Sequence, residues 1–238
     1  EPKMSSQSLS SRREQFLQHD QARLDHLALR DSLLTQPQRT AAELEKLAAD
    51  GAQQFNANGN TEQLLAWVAS KFGYRTAVAC SMADTVLPHV VAQHLPWVDT
   101  LFLETGYHFP ETIGTRDAAK ASMELTIVDV LPAQTVAQQD AEFGPELHQR
   151  DPALCCQLRK VDPLTKVLGG YEVWITGVRR DESPLRVDTP FVTWDAKNQL
   201  VKVNPLAAWT FEELASYSEQ HNLISNPLIA EGYPSIGC

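Results

Sequence analysis

Basic charge is what this chain most lacks. Its 20 Lys and Arg residues stand against 30 Asp and Glu, for a formal net charge of −10 at pH 7. That excludes the broad positive footprint of a nucleic-acid-binding domain. It leaves a small anionic ligand open, because a local group of Arg and Lys decides that. Long apolar runs are missing too. None approaches the roughly 18 residues of a membrane span, and the polar N-terminus has no signal-peptide pattern. Cysteine is scarce, and four residues at irregular spacing do not read as a secreted disulfide framework. These absences predict a protein of the reducing cytoplasm, with no nucleic-acid or membrane partner. Internal repeats and low-complexity segments are also lacking.

What is present is enough for a sizeable core: 43% of the 238 residues are apolar, so one large domain or two small ones fit. Residues 1–36 are polar and read as a flexible, partly helical tail, with helix around 14–34. Residues 37–238 read as a single α/β domain. Thr40-Ala41-Ala42-Glu43 is a capping box, which predicts a helix to about Phe55. A second helix should follow from Thr61, with Leu64, Leu65 and Val68 on one face. Strands are expected at 76–81, 100–104, 124–131 and 171–176. Helices are expected between them at 83–95, 110–121 and 151–168. Strands alternating with helices imply a mostly parallel twisted sheet with helices on both faces. Residues 191–195 and 199–203 flank a turn and predict a hairpin. Thr210-Phe211-Glu212-Glu213 is another capping box before a last helix, and an irregular end follows from Pro227.

Open α/β sheets bind ligands beyond the carboxyl ends of their strands. Three segments should reach that edge. Cys80-Ser81-Met82-Ala83-Asp84 follows the first strand and could admit a phosphate, although it lacks the glycines and lysine of a Walker loop; an ordinary helix N-cap is the plainer alternative. Leu103-Glu104-Thr105-Gly106-Tyr107-His108 follows the second, where Gly106 permits a tight turn; a loop histidine with no duty is the plainer reading of His108. Thr176-Gly177-Val178-Arg179-Arg180 follows the fourth, with Arg186 beyond it. Guanidinium forks match phosphate or sulfate oxygens, while surface salt bridges are the commoner use of an Arg-Arg pair. Cys155 and Cys156 are adjacent, in Cys155-Cys156-Gln157-Leu158-Arg159-Lys160. Positive charge beside thiolates favours a metal or cluster site; two small buried residues are the alternative.

Taken together, these motifs resemble the assimilatory adenylyl-sulfate reductases of the adenosine-phosphosulfate and phosphoadenosine-phosphosulfate (APS/PAPS) reductase family. The resemblance runs from about Ala66 to Cys238, and the order of motifs is the family's. It includes Lys202-Val203-Asn204-Pro205-Leu206-Ala207-Ala208-Trp209, Asn226-Pro227-Leu228 and Gly232-Tyr233-Pro234-Ser235-Ile236-Gly237-Cys238. It implies an adenine nucleotide α-hydrolase-like fold and thiol-dependent reduction of adenylyl sulfate to sulfite and AMP, in sulfate assimilation and cysteine biosynthesis. The resemblance also implies an S-sulfocysteine intermediate on the enzyme, from which thioredoxin or glutaredoxin releases sulfite. The resemblance assigns Cys155, Cys156 and Cys238 to a [4Fe–4S] cluster and places Lys160 between cluster and phosphosulfate as the catalytic residue. It assigns Ser81, Asp84, Thr105, Gly177, Arg179, Arg180 and Arg186 to the substrate. Homo-oligomers are common in the family. The fourth cluster ligand and the nucleophilic cysteine belong to a segment beyond Cys238, so these 238 residues alone are expected to bind nucleotide without turning it over. Cys80 is expected to be structural or loop-lining, and not the nucleophile. The alternatives are a PAPS reductase, an ATP-pyrophosphatase-type adenylating enzyme, whose phosphate loop usually carries two glycines, and a non-catalytic nucleotide- or metal-binding core.

Overall fold

A computed structural model describes residues 9–233 and Ile236. The chain divides into two units, Glu1–Pro37 and Gln38–Cys238. The first holds one helix, α1 (Leu9–Leu34). None of the described helices is long and apolar enough to cross a membrane.

The second unit begins with α2 (Ala41–Phe55). Thr40 caps it: its hydroxyl accepts from the Glu43 N–H, and the Glu43 carboxylate accepts from the Thr40 N–H at 2.8 Å. That bond to the Thr40 backbone holds the Glu43 carboxyl below its ordinary pKa. In α3 (Thr61–Phe72), Asn60 is the cap, accepting from the Gln63 N–H at 2.9 Å. Leu44, Ala48, Gly51 and Phe55 of α2 and Leu64, Leu65, Val68 and Phe72 of α3 are buried. This helical spacing turns one stripe of each helix inward. Gly51 sits where a Cβ would meet the Trp67 ring at 2.6 Å, so only glycine lets α2 pack here.

The sheet follows, as β1 (Thr76–Ala79), β2 (Asp99–Leu103), β3 (Thr126–Val130), β4 (Val173–Ile175), β5 (Val192–Asp195) and β6 (Leu200–Val203). Their order across the sheet is β3-β2-β1-β4-β6-β5. All neighbours are parallel except β5 and β6, which form the expected hairpin. One face buries Val78, Val173, Ile175 and Val201 with the α2 and α3 stripes. The other buries Ala77, Leu101 and Leu200 against Leu168. The sheet is therefore covered on both faces, as a mostly parallel sheet requires.

Between the strands lie α4 (Val86–Ala92), α5 (Pro110–Ser122), α6 (Val136–Phe143), α7 (Leu147–Arg150), α8 (Pro152–Cys156) and α9 (Asp162–Leu168). After β6 come α10 (Phe211–Gln220), capped by Thr210 as expected, and one turn, α11 (Pro227–Ala230). Three differences from the sequence reading matter for the site. First, α4 starts at Val86 and not at 83. Residues 83–85 are held by a neighbouring strand-like segment: Asp84 bridges Ser225, and the Thr85 hydroxyl donates to the Ile224 carbonyl at 2.7 Å. Second, the 151–168 stretch is not one α-helix. A π-helical turn, Gln157–Val161, interrupts it between α8 and α9. Third, α6 and α7 occupy a stretch with no assigned element, although Thr135 and Gln138 form a capping box.

Candidate active site

The chain runs from β1 to β2 on one side and reaches β4 on the other, so β1 and β4 flank the topological switch point. Ligands bind there in open α/β sheets. A cavity of about 470 Å³ opens at this place, lined by the ends of β1, β2 and β4 and the loops that follow them. Of the residues singled out from sequence, Ser81, Asp84, Thr105, Lys160, Gly177, Arg179 and Arg186 all line it.

Arg180 does not. Its Nε donates to the Thr189 carbonyl at 2.9 Å, and its guanidinium lies 5.0 Å from the centre of the Phe191 ring. Successive side chains on an extended backbone point opposite ways, and Arg179 leads into the turn extended. One arginine of the pair therefore meets the cavity and the other fastens the loop. Cys238 lies outside the described residues.

The first wall is the loop after β1. Met82 there is fully buried with φ of 62°, a left-handed conformation that glycine adopts far more readily. A clamp holds it: the Asn226 amide donates to the Met82 carbonyl at 3.3 Å and to the Thr112 hydroxyl at 2.9 Å. Burial raises the Asp84 carboxyl above its ordinary pKa, and Glu182 adds to this; the Val86 N–H and Arg179 oppose them. Asp84 holds its proton better folded than unfolded, so its ionisation opposes folding as pH rises from about 3.8 through the raised value. Asp84→Asn removes that charge while keeping an oxygen for the Val86 N–H, now 2.9 Å away. The variant's stability relative to wild type should therefore be higher at pH 7 than at pH 4, measured by urea unfolding at both. A pH-independent difference would contradict the burial argument.

Cys80 also lines the cavity, and burial pushes its thiol up to about 12. At neutral pH it is a thiol, and a thiol is a poor nucleophile.

The second wall is the loop after β2. Gly106 has φ of +85°, and a Cβ there would meet Val136 at 2.9 Å and the Arg159 guanidinium at 3.3 Å. Thr105 is fully buried. His108 Nε2 lies 2.6 Å from the Leu103 carbonyl. A carbonyl only accepts, so Nε2 carries the proton. Nδ1 is then an acceptor in the neutral ring, and it has no hydrogen-bond partner among the described residues. This histidine, for which a loop position with no duty was the plainer reading, belongs to the cavity lining, as do Trp174 and Glu182.

The third wall follows the cysteine pair: Lys160 and Leu164 line the cavity, and neither Cys155 nor Cys156 does. Cys155 is buried and Cys156 exposed. Arg159, only 3% exposed, donates from Nε to the Thr105 carbonyl at 2.5 Å and from Nη1 to the Gln139 side-chain oxygen at 3.1 Å. The Gln139 amide nitrogen in turn lies 3.9 Å from Cys155 Sγ. An N–H donor beside the sulfur suits a metal-bound cysteine, so Cys155 and its surroundings fit a sulfur-ligated metal group. Among the described residues no set of three or more His, Cys, Asp or Glu gathers around one point.

Residues 66–238 match the family described as the phosphoadenosine phosphosulfate reductase domain. A curated protein named adenosine 5'-phosphosulfate reductase, from Streptomyces coelicolor, is 49% identical over 203 residues, which is 85% of this chain and 86% of that protein. Its namesake from Mycolicibacterium smegmatis is 50% identical over 199 residues, 84% of each. Among solved structures, phosphoadenylyl-sulfate reductase from Candida auris superposes with a TM-score of 0.66 at 22% identity, over 79% of this chain and 92% of that one. Candida glabrata FMN adenylyltransferase does so with a TM-score of 0.54 at 12% identity, over 92% and 71%. These two likenesses show shared architecture alone: this is an α/β fold of the adenine nucleotide α-hydrolase type. By its matched residues and its similar relatives, the chain belongs to the phosphoadenosine phosphosulfate reductase family.

Proposed function

We propose that this protein binds adenylyl sulfate and takes part in its thiol-dependent reduction to sulfite and AMP, in assimilatory sulfate reduction. The observation that supports this best is the cavity itself, where Lys160, Arg179 and Arg186 stand together at the sheet's switch point. Three cations in one partly water-excluded site suit a dianionic phosphosulfate. The names of the curated relatives point to the same substrate.

In this reading Arg179 and Arg186 bind oxygens of the phosphosulfate, with Ser81 and Gly177 lining its path. Thr105 and Asp84 line the nucleotide site. Lys160 offsets the charge that builds on the leaving phosphate. A cysteine thiolate attacks the sulfur of the phosphosulfate; an S–S bond forms, the S–O bond to phosphate breaks, and AMP leaves with the electron pair. A dithiol reductant of the thioredoxin or glutaredoxin class then attacks the enzyme's sulfur. Sulfite departs, and the reductant ends as a disulfide. The family resemblance gives the nucleophile's role to none of the four cysteines here, and the raised pKa of Cys80 agrees with that. Cys155, Cys156 and Cys238 would hold a [4Fe–4S] cluster, whose chemistry when bound is electrostatic support of the substrate's charge. Gln139 and Arg159 keep Cys155 in place for it. The proposed compartment is the cytoplasm, and assembly into homo-oligomers is part of the proposal.

The test begins with calorimetric binding of adenylyl sulfate, AMP and ATP. It continues with assays of AMP and sulfite release under reduced thioredoxin, on anaerobically purified protein. Binding of adenylyl sulfate is expected. Pyrophosphate release from ATP, with no adenylyl-sulfate binding, would point instead to an adenylating enzyme. In a preparation that turns over, Lys160→Ala should cut turnover about tenfold or more with the fold intact, as loss of one electrostatic contact to a developing charge does. Unchanged turnover would remove Lys160 from the mechanism.

A further inference from the structure

The loop that supplies Arg179 to the cavity also supplies two acids. Two 3₁₀ turns, Arg180–Glu182 and Pro184–Arg186, follow Arg179 directly. Arg179 Nε lies 3.1 Å from Asp181 Oδ1, and its Nη1 lies 3.6 Å from Glu182 Oε1. The other Glu182 oxygen pairs with the Arg186 guanidinium. One carboxylate therefore spans both arginines that face the cavity, and Glu182 itself lines that cavity.

The two acids are not equivalent. Asp181 Oδ2 accepts from the Phe211 N–H at 2.7 Å, at the start of α10, so Asp181 is anchored on both sides. Asp181 does not line the cavity. Among the described residues the Glu182 carboxylate forms ion pairs with the two arginines alone. No other ion pair among the described residues would be broken if it swung away.

A carboxylate inside an anion site opposes the anion. It stands among three basic side chains, with Asp84 as the other acid in the lining. Two guanidinium groups brought together without it would repel each other. With it they stay gathered, paired and ready to exchange one bidentate anion for another.

We propose that Glu182 is an internal counter-ion: it holds Arg179 and Arg186 in place until the substrate's phosphosulfate displaces it, and it thereby sets how tightly the site holds anions. This rests on the reading that the cavity takes adenylyl sulfate. The exchange lowers affinity for every anionic occupant, the AMP product included. It should therefore speed the emptying of the site after reaction.

Calorimetry on the full chain tests this with three probes: adenylyl sulfate, AMP, and adenosine, which has no charge. In Glu182→Gln and Glu182→Ala, both anions should bind about fivefold tighter or more, the low end of typical coupling between linked events. Adenosine affinity should not change. Raising salt should weaken AMP binding more steeply in the variants, which offer more uncompensated positive charge. AMP binding that is unchanged or weaker in both variants would overturn the inference and leave the substrate reading standing. Equal gains for adenosine would also overturn it, since a mere reshaping of the cavity would produce that. A wild-type chain that binds neither adenylyl sulfate nor AMP would overturn the substrate reading, and the inference with it.

Discussion

Asn226→Leu is expected to lower the unfolding free energy by about 3 kcal/mol and to weaken adenylyl-sulfate binding as well. Asn226 is 1% exposed. Its amide donates to the Met82 carbonyl and the Thr112 hydroxyl, and its side-chain oxygen accepts from the Leu228 N–H at 3.1 Å. Its own N–H reaches the Ala83 carbonyl at 3.0 Å. One side chain therefore ties the loop after β1 to α5 and to the start of α11. Leucine fills a similar volume but leaves three buried polar groups unpaired. Each such group costs about 1–3 kcal/mol, and local relaxation recovers part of that. Met82 would also lose the contact that keeps it at positive φ, so the loop should relax away from the cavity. Urea unfolding and calorimetric binding check the two halves. A loss below about 0.5 kcal/mol would mean that the clamp is replaceable, within the spread of ordinary surface substitutions.

Arg179→Ala should weaken adenylyl-sulfate binding by about 10- to 100-fold, with little change for adenosine. Hydrogen bonds to charged groups are worth about 1.5–3 kcal/mol, which corresponds to that range. The Arg179 side chain is only 12% exposed, so solvent screens it little. Its loss also leaves the Glu182 carboxylate facing the anion. Arg180→Ala is the natural contrast. That guanidinium rests on Phe191 and the Thr189 carbonyl, so its removal should reduce stability and leave affinity nearly intact. If the two variants exchanged phenotypes, the assignment of Arg179 to the anion would be wrong.

The contrast between these neighbours shows where sequence reading stopped. Local rules were enough wherever a few adjacent residues decide the outcome. The capping boxes at Thr40 and Thr210 place their helices correctly, and the alternation of apolar runs with helical stripes foretells a mostly parallel sheet. The expectation that ligands sit beyond strand ends brings Ser81, Thr105, Lys160 and Arg179 to one cavity. What escaped depends on distant partners. Nothing near Arg180 in sequence announces Phe191, and nothing near Asn226 announces Met82. The helix at 151–168 reads as continuous because helix propensities of Gln, Leu, Arg and Lys are alike; a π turn arises from packing, not composition. The Thr135–Gln138 cap of α6 was legible by the same rule that found the others. Glu182 carries no local signal that sets it apart from any other charged loop residue.

The widened turn at Gln157–Val161 makes the distance between the cysteines and Lys160 a matter of counting. In a regular α-helix, Lys160 would stack over Cys156, four positions earlier, and Cys156 is exposed. With a wider turn, a residue five positions on comes closer to the same bearing. That aligns Lys160 more nearly with Cys155, the buried sulfur. Deleting Leu158 would close the wide turn toward a regular α-helix and change which residue stacks beneath Lys160. That deletion would spare both cysteines, Arg159 and Lys160 and still aim the lysine elsewhere. The instruction here is written in the number of residues as much as in their identity.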